Sequence, residues 1–275
     1  MRTIEVPGAQ ILVDEVGTGP PALVLHGGMG IDHVLYRTLD PLASSLRLVY
    51  LDQRGNGRST GDPATVTMEQ WASDAAEVAR AIVGERPVIV IGHSFGGFVA
   101  QEMAITHGER VRAVILLATT PGQLGDGEEP APEGPPMPVE FAEMLAELPE
   151  SDEDYAAFMH RLAPAYLHRR PADHLRDLMH ATTFSAAAMR RGFEELARWS
   201  SVDRLASVTA PVLLVAGRHD PFTAWPQSDR IASRLADAEV MIMEESGHFP
   251  WLDEPDAFFP AVAGWLRRRG LVDGS

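Results

Sequence analysis

The sequence predicts an α/β protein: a mostly parallel sheet of about eight strands, flanked by helices and carrying an inserted helical cap. Three observations predict this. Short apolar runs alternate with amphipathic helical stretches, the arrangement of a parallel sheet covered on its faces. The alternation breaks once, at a Pro/Gly-rich segment, and later resumes. One apolar run, VIVI at 88–91, leads directly into Gly92-His93-Ser94-Phe95-Gly96 and then into an apolar helix.

The strand candidates in chain order are 10–16, 22–25, 47–51, 88–91, 113–117, 212–216 and 239–243. Helical spacing of apolar residues appears over 68–83, after the serine over 94–107, and at the end over 255–268. Residues 121–138, PGQLGDGEEPAPEGPPMP, hold six prolines, four glycines and four acidic residues, which excludes helix or central strand and reads as a mobile linker. From 139 to about 199 the pattern is helical only. We therefore divide the chain into a core, 1–120 and 204–275, and a linker with helical cap, 121–203. The cap is expected over the carboxyl ends of the strands, where open parallel sheets bind ligands.

With 45% hydrophobic residues, 275 residues can bury one large core. The formal net charge of −16 disfavours nucleic acid and anionic membrane surfaces as partners. The absence of cysteine excludes disulfides, thiolate metal sites and a cysteine nucleophile. No segment has the apolar length of a membrane span, and MRTIEVPGAQ lacks the apolar run of a signal peptide, so a cytoplasmic location is expected.

In a Gly-x-Ser-x-Gly turn the serine is held in a strained conformation with its hydroxyl exposed, so Ser94 is the candidate nucleophile; a small serine in a tight turn is the plainer alternative. A serine hydroxyl needs a base, and the base an orienting carboxylate. His248 and Asp220 follow predicted strands 239–243 and 212–216, at the same sheet edge as Ser94. His219 competes as base, but it adjoins Asp220 and would hardly reach both that carboxylate and Ser94. Oxyanion donors are expected from the Phe95 N–H and from the loop His26-Gly27-Gly28-Met29-Gly30, with Gly28 preferred over Met29. His26, Phe222, Phe249 and Met189 are expected in the substrate pocket, in a cap made adaptable by methionines 137, 144, 159, 179 and 189.

Other conspicuous residues read as structural. Glycines 55 and 57 suit tight turns in the 52–59 loop, and Asp52 and Arg54 can satisfy nearby backbone groups. His160, His168, His174 and His180 lack metal-ligand spacing. No nucleotide-binding motif opens a helix, so neither metal nor cofactor is expected. Ser94 at the turn excludes an aspartate nucleophile.

On His26-Gly27-Gly28, on 52–59 (DQRGNGRS), on Gly92-His93-Ser94-Phe95-Gly96-Gly97, on Gly217-Arg218-His219-Asp220 and on Gly247-His248, the chain resembles the α/β-hydrolase superfamily and, within it, the proline iminopeptidase branch. The resemblance implies a triad in the order Ser94, Asp220, His248. It departs from the branch at Met29, where a proline is usual, and at Pro221, where a substrate-ammonium carboxylate often follows the triad acid. Glu194 and Glu195 are then the cap carboxylates that could hold an ammonium, with a solvated helix face as the equal alternative. The expected activity is hydrolysis of small, mostly apolar esters, lactones or amides through an acyl-enzyme. The alternatives are an aminopeptidase and a non-catalytic ligand-binding protein of the same fold.

Overall fold

The computed structural model describes residues 1–122 and 134–273. Among them are eight strands: β1 (Arg2–Val6), β2 (Ala9–Val16), β3 (Pro21–Leu25), β4 (Arg47–Leu51), β5 (Val88–His93), β6 (Val111–Leu117), β7 (Val212–Gly217) and β8 (Ala238–Met243). They form one sheet in the order β1-β2-β4-β3-β5-β6-β7-β8. The pairs β1·β2 and β2·β4 are antiparallel, and every pair from β4 through β3 to β8 is parallel. β1 is absent from the strands read in the sequence. Most of its residues are exposed, and its place comes from a hairpin with β2 in which Ile4 faces Ile11, across a turn where Gly8 takes φ +77°.

The helices are α1 (Met68–Val83), α2 (Phe95–Thr106), α3 (Val139–Ala146), α4 (Asp152–Tyr166), α5 (Ala172–Met179), α6 (Ala186–Leu196), α7 (Pro226–Ala232), α8 (Pro250–Asp253) and α9 (Pro255–Arg268). Thr67 caps α1 by accepting from the Gln70 N–H, and Gly84 ends it at φ +66°. Alternate residues of β5 feed the two cores: Val88 and Val90 pack with Trp71, Ala75, Val99 and Met103 of α1 and α2, whereas Ile89 and Ile91 share the other core with Phe258, Val262 and Trp265 of α9. α2 is buried continuously from Phe95 to Ala104, as expected of a helix that is apolar nearly all round.

Helices α3 to α6 lie between β6 and β7. The linker expected at 121–138 falls at 123–133 outside the described residues. The two ends of this helical insertion meet: Gly122 bridges to Ser200, and the Ser201 N–H donates to the Pro121 carbonyl at 2.9 Å. Both ends are tied to α2, the first by Gln101 Nε2, which donates to the Thr120 carbonyl at 3.0 Å. Buried Glu102 accepts from Trp199 Nε1 at 2.7 Å and from both Arg204 Nη atoms, and the Ser201 hydroxyl donates to Gln101 at 2.8 Å. Among the described residues no helix is long and apolar enough to cross a membrane.

Candidate active site

β5 ends at His93 and α2 begins at Phe95, so Ser94 alone makes the turn. It adopts φ +51°, ψ −116°, a strained conformation for a residue with a Cβ. The strain is held from both sides: the Ser94 N–H donates to the Leu117 carbonyl at 2.9 Å, and the Thr119 hydroxyl donates to the Ser94 carbonyl at 2.9 Å. The flanking glycines are required by close approach. A Cβ at Gly92 would lie 2.4 Å from the Gly96 carbonyl oxygen, and one at Gly96 would lie 2.0 Å from that of Leu25.

Asp220 and His248 follow β7 and β8 and meet across their loops: His248 Nδ1 is 2.8 Å from Asp220 Oδ2. The same Oδ2 accepts from the Thr223 hydroxyl at 2.6 Å, while Oδ1 accepts the Phe222 and Thr223 N–H groups at 2.8 and 3.2 Å. Burial pushes the Asp220 carboxyl up. The His248 charge and the hydrogen bonds from His248, Thr223 and Phe222 outweigh it and hold the pKa below the usual carboxylate range. Asp220 is therefore ionised and accepts the Nδ1–H, so in the imidazole form of that ring the acceptor is Nε2.

His248, Ser94, Phe95, Gly28 and Met29 line one cavity of about 190 Å³. As the first residue of α2, Phe95 has an N–H with no intrahelical acceptor. Gly28, at φ +62°, opens a turn in which the Ile31 N–H donates to its carbonyl at 3.2 Å. The insertion forms much of the remaining wall with Met144, Tyr155, Phe158, Met159, Tyr166 and Phe193. Phe222 and Phe249 also line it, as the sequence reading expects.

Four of the expected pocket residues lie elsewhere. His26 turns toward the 52–59 loop, where its Nε2 accepts the Gln53 N–H at 3.0 Å. Met189 is buried beneath the glycine loop, 3.1 Å from the position of a Cβ at Gly30. Glu194 is exposed and pairs with Arg191. Glu195 is buried, but it accepts the first N–H of α1, that of Met68, at 3.0 Å and pairs with Arg191 and Arg198. Helix phase explains both glutamates: Phe193 and Leu196 share the cavity face, and residues 194 and 195 project away from it. His219 stands outside the cavity lining, stacked on His168 with ring centroids 3.5 Å apart.

The 52–59 loop is structural in its contacts. Arg54 makes a two-pronged pair with Asp74, and Asp52 accepts from the His33 ring and the Arg58 N–H. Burial raises the Asp52 pKa, but these bonds prevail and bring it to about 2. Among the described residues no three His, Asp or Glu side chains are grouped to hold a metal.

His93 was not anticipated, although it stands inside the motif. Its Nε2–H donates to the His248 carbonyl at 2.8 Å and its Nδ1 accepts the Tyr36 hydroxyl at 2.8 Å, so the turn holds the His248 loop. Burial, and then the neighbouring His248 charge, push its pKa far down and keep it neutral. Asp253 was also missed. Its carboxylate accepts the N–H groups of Gly247, His168, Arg169 and Arg170, joining the loop after α4 to the His248 loop.

This sheet, with a serine at the strand-to-helix turn and an Asp–His pair beyond the last two strands, defines an α/β-hydrolase. The family model described as the alpha/beta hydrolase fold matches residues 20–255, and the chain belongs to that family. Among its curated relatives, a proline iminopeptidase of Pestalotiopsis fici is 26% identical, covering 96% of this chain and 99% of the relative. A pimeloyl-[acyl-carrier protein] methyl ester esterase of Shewanella oneidensis is 28% identical over 92% and 94% of the two chains. Among solved structures, an esterase from Exiguobacterium antarcticum superposes with a TM-score of 0.79 at 22% identity, covering 95% of this chain and 97% of the other.

Proposed function

We propose that the chain is a serine hydrolase of small, neutral, mostly apolar carboxylic esters, lactones or amides, with the insertion acting as a cap over the site. Ser94 Oγ attacks the carbonyl carbon while His248 Nε2 takes its proton, and Asp220 stabilises the imidazolium through Nδ1–H. The oxyanion receives the Phe95 N–H and the Gly28 N–H, with that of Met29 as the alternative second donor. Collapse expels the leaving group, which takes the proton from His248. Water, deprotonated by His248, then attacks the acyl-Ser94 carbonyl; His248 returns that proton to Ser94 Oγ, and the acid is released.

One observation carries the choice of substrate: among the described residues the polar side chains of the cavity wall away from the reaction centre are neutral hydroxyls, each engaged in a hydrogen bond. Among the described residues no Asp, Glu, Lys or Arg lines it. The Tyr155 hydroxyl donates to the Met29 carbonyl, Tyr166 to Met159 Sδ, Tyr36 to His93 and Thr223 to Asp220, while the Thr120 hydroxyl oxygen accepts the Gly122 N–H. A buried substrate ammonium would lose its water and, among the described residues, meet neutral hydroxyl oxygens with no carboxylate to balance its charge. This favours neutral substrates over the peptide N-terminus an aminopeptidase must hold. Since a dry cavity of about 150 Å³ accommodates benzene, the space here suits a ring or a chain of roughly six to eight carbons.

The test is kcat/KM for a series of p-nitrophenyl acyl esters beside alanyl and prolyl arylamides, each with and without N-acetylation. Ester turnover should rise up to about fourfold per methylene, the equivalent of ~0.8 kcal/mol, until the cavity is full. Preference for free-amine arylamides, abolished by acetylation, would overturn the reading in favour of the aminopeptidase.

A further inference from the structure

The loop carrying the second oxyanion donor is gripped by the insertion. Gly28 to Ile31 form a turn closed by the Ile31 N–H to Gly28 carbonyl bond, with Gly30 at φ +85° in the third position, as in a type II turn. The central peptide of such a turn, here Met29–Gly30, is the unit whose rotation interconverts turn types. Both its polar ends are fixed. The Met29 carbonyl accepts the Tyr155 hydroxyl at 2.6 Å, and the Gly30 N–H donates to Asn56 Oδ1 at 2.9 Å. The next carbonyl, that of Gly30, accepts the Ser185 N–H at 2.7 Å. The Met29 side chain lies against α6, where a Cβ at Gly192 would come within 2.4 Å of its Cγ and 2.7 Å of its Cβ.

Tyr155 is itself firmly placed. Ser151 caps α4 by accepting the Asp154 N–H, and Asp152 accepts the Ala186 N–H at the start of α6 at 2.8 Å. The Tyr155 ring packs edge-on against Phe184, whose backbone bridges to Ile31. Burial holds the phenol protonated, so it remains a donor.

We propose that Tyr155 is a positioning residue of the oxyanion site. Its hydroxyl locks the Gly28–Ile31 turn in the form that presents the Gly28 and Met29 amides to the oxyanion, so the insertion sets transition-state stabilisation as well as covering the cavity. The proposal rests on Ser94 being the nucleophile of the reading above.

Tyr155→Phe removes the bond and keeps the ring. The probes are a trifluoromethyl ketone with a hexyl chain, which adds to Ser94 as a tetrahedral oxyanion, and the corresponding inert ether, which only fills the cavity. For Tyr155→Phe, the ketone Ki should rise and kcat should fall about tenfold, less than loss of a whole oxyanion donor, while KM and the ether Ki stay within about twofold. A ketone Ki within about twofold of wild type, or equal weakening of ketone and ether, overturns the proposal; the second outcome makes Tyr155 a wall of the pocket only. If Tyr155→Phe does not fold, Gly192→Ala displaces Met29 from the insertion side and must show the same selective loss of ketone affinity. A wild type that binds the ketone at Ser94 but turns over no neutral ester contradicts the substrate reading, yet leaves this comparison intact.

Discussion

Replacing Asp220 by Asn tests how the His248 ring is set. The buried carboxylate accepts on both oxygens: two backbone N–H groups at Oδ1, and the Thr223 hydroxyl and His248 Nδ1 at Oδ2. An amide nitrogen facing the two N–H donors is forbidden, so the Asn NH₂ must take the Oδ2 side and donate toward His248 Nδ1. That bond selects the tautomer with the proton on Nε2, which cannot accept the proton of Ser94. A mis-set tautomer and an uncompensated imidazolium together cost about 10⁴-fold in kcat, or about 5.4 kcal/mol, with KM little changed. Stability follows as well. The folded-state pKa of Asp220 lies below its unfolded value near ~3.9, so the charged carboxylate contributes stability above that pH, and the contribution is lost as pH falls through the folded value. The Asn variant should therefore unfold at lower urea than wild type at pH 7, with a shallower decline in acid. Steady-state kinetics, and the downfield proton resonance of the His248 Nδ1–H, provide the assay. A variant within about tenfold of wild-type kcat, or one that keeps that resonance, would refute the reasoning.

Two further outcomes concern stability and the cap. His93 is buried neutral with its pKa far below the ordinary ~6.5, so folding loses up to about 1.4 kcal/mol per pH unit as pH falls below that unfolded value. Urea midpoints measured at pH 7.5 and 5.0 should decline, and His93→Gln should lower both but flatten the decline; an unchanged slope counts against the assignment. Glu195→Gln should lower Tm, because it weakens the contact with the Met68 N–H and the pairing with Arg191, at about 1–3 kcal/mol. Its kcat/KM for a neutral ester should stay within about twofold, whereas a large loss confined to amine substrates would restore the glutamate to the pocket.

The central strands were legible because parallel strands buried on both faces are written as nearly unbroken apolar runs, as in β3, β5 and β7. The spans of α1 and α9 were legible from the helical spacing of apolar residues over 68–83 and 255–268. β1 was not, since RTIEV gains its order from pairing with β2 and not from its own pattern. At the site, the residues read from the sequence as Ser94, His248, Phe95, Gly28, Phe222 and Phe249 meet at one cavity, and Asp220 stands behind His248. Each sits in or beside a turn after a strand, and strand order brings such turns together. The residues that hold them in place were hidden. Tyr155 meets Met29 across 126 positions and Asp253 gathers N–H groups from 168–170, and no local spacing encodes either contact. Charge alone left Glu194 and Glu195 between the pocket and a solvated face, and the phase of α6 turns both from the cavity.

The most direct measurement is covalent labelling with a fluorophosphonate, followed by intact mass and peptide mapping of wild type and Ser94→Ala. A nucleophile held in this turn and served by His248 should take up one phosphonyl group per chain, on Ser94, and the alanine variant should take up none. An adduct on another residue, or labelling that survives Ser94→Ala, would contradict the assignment of Ser94 as the nucleophile.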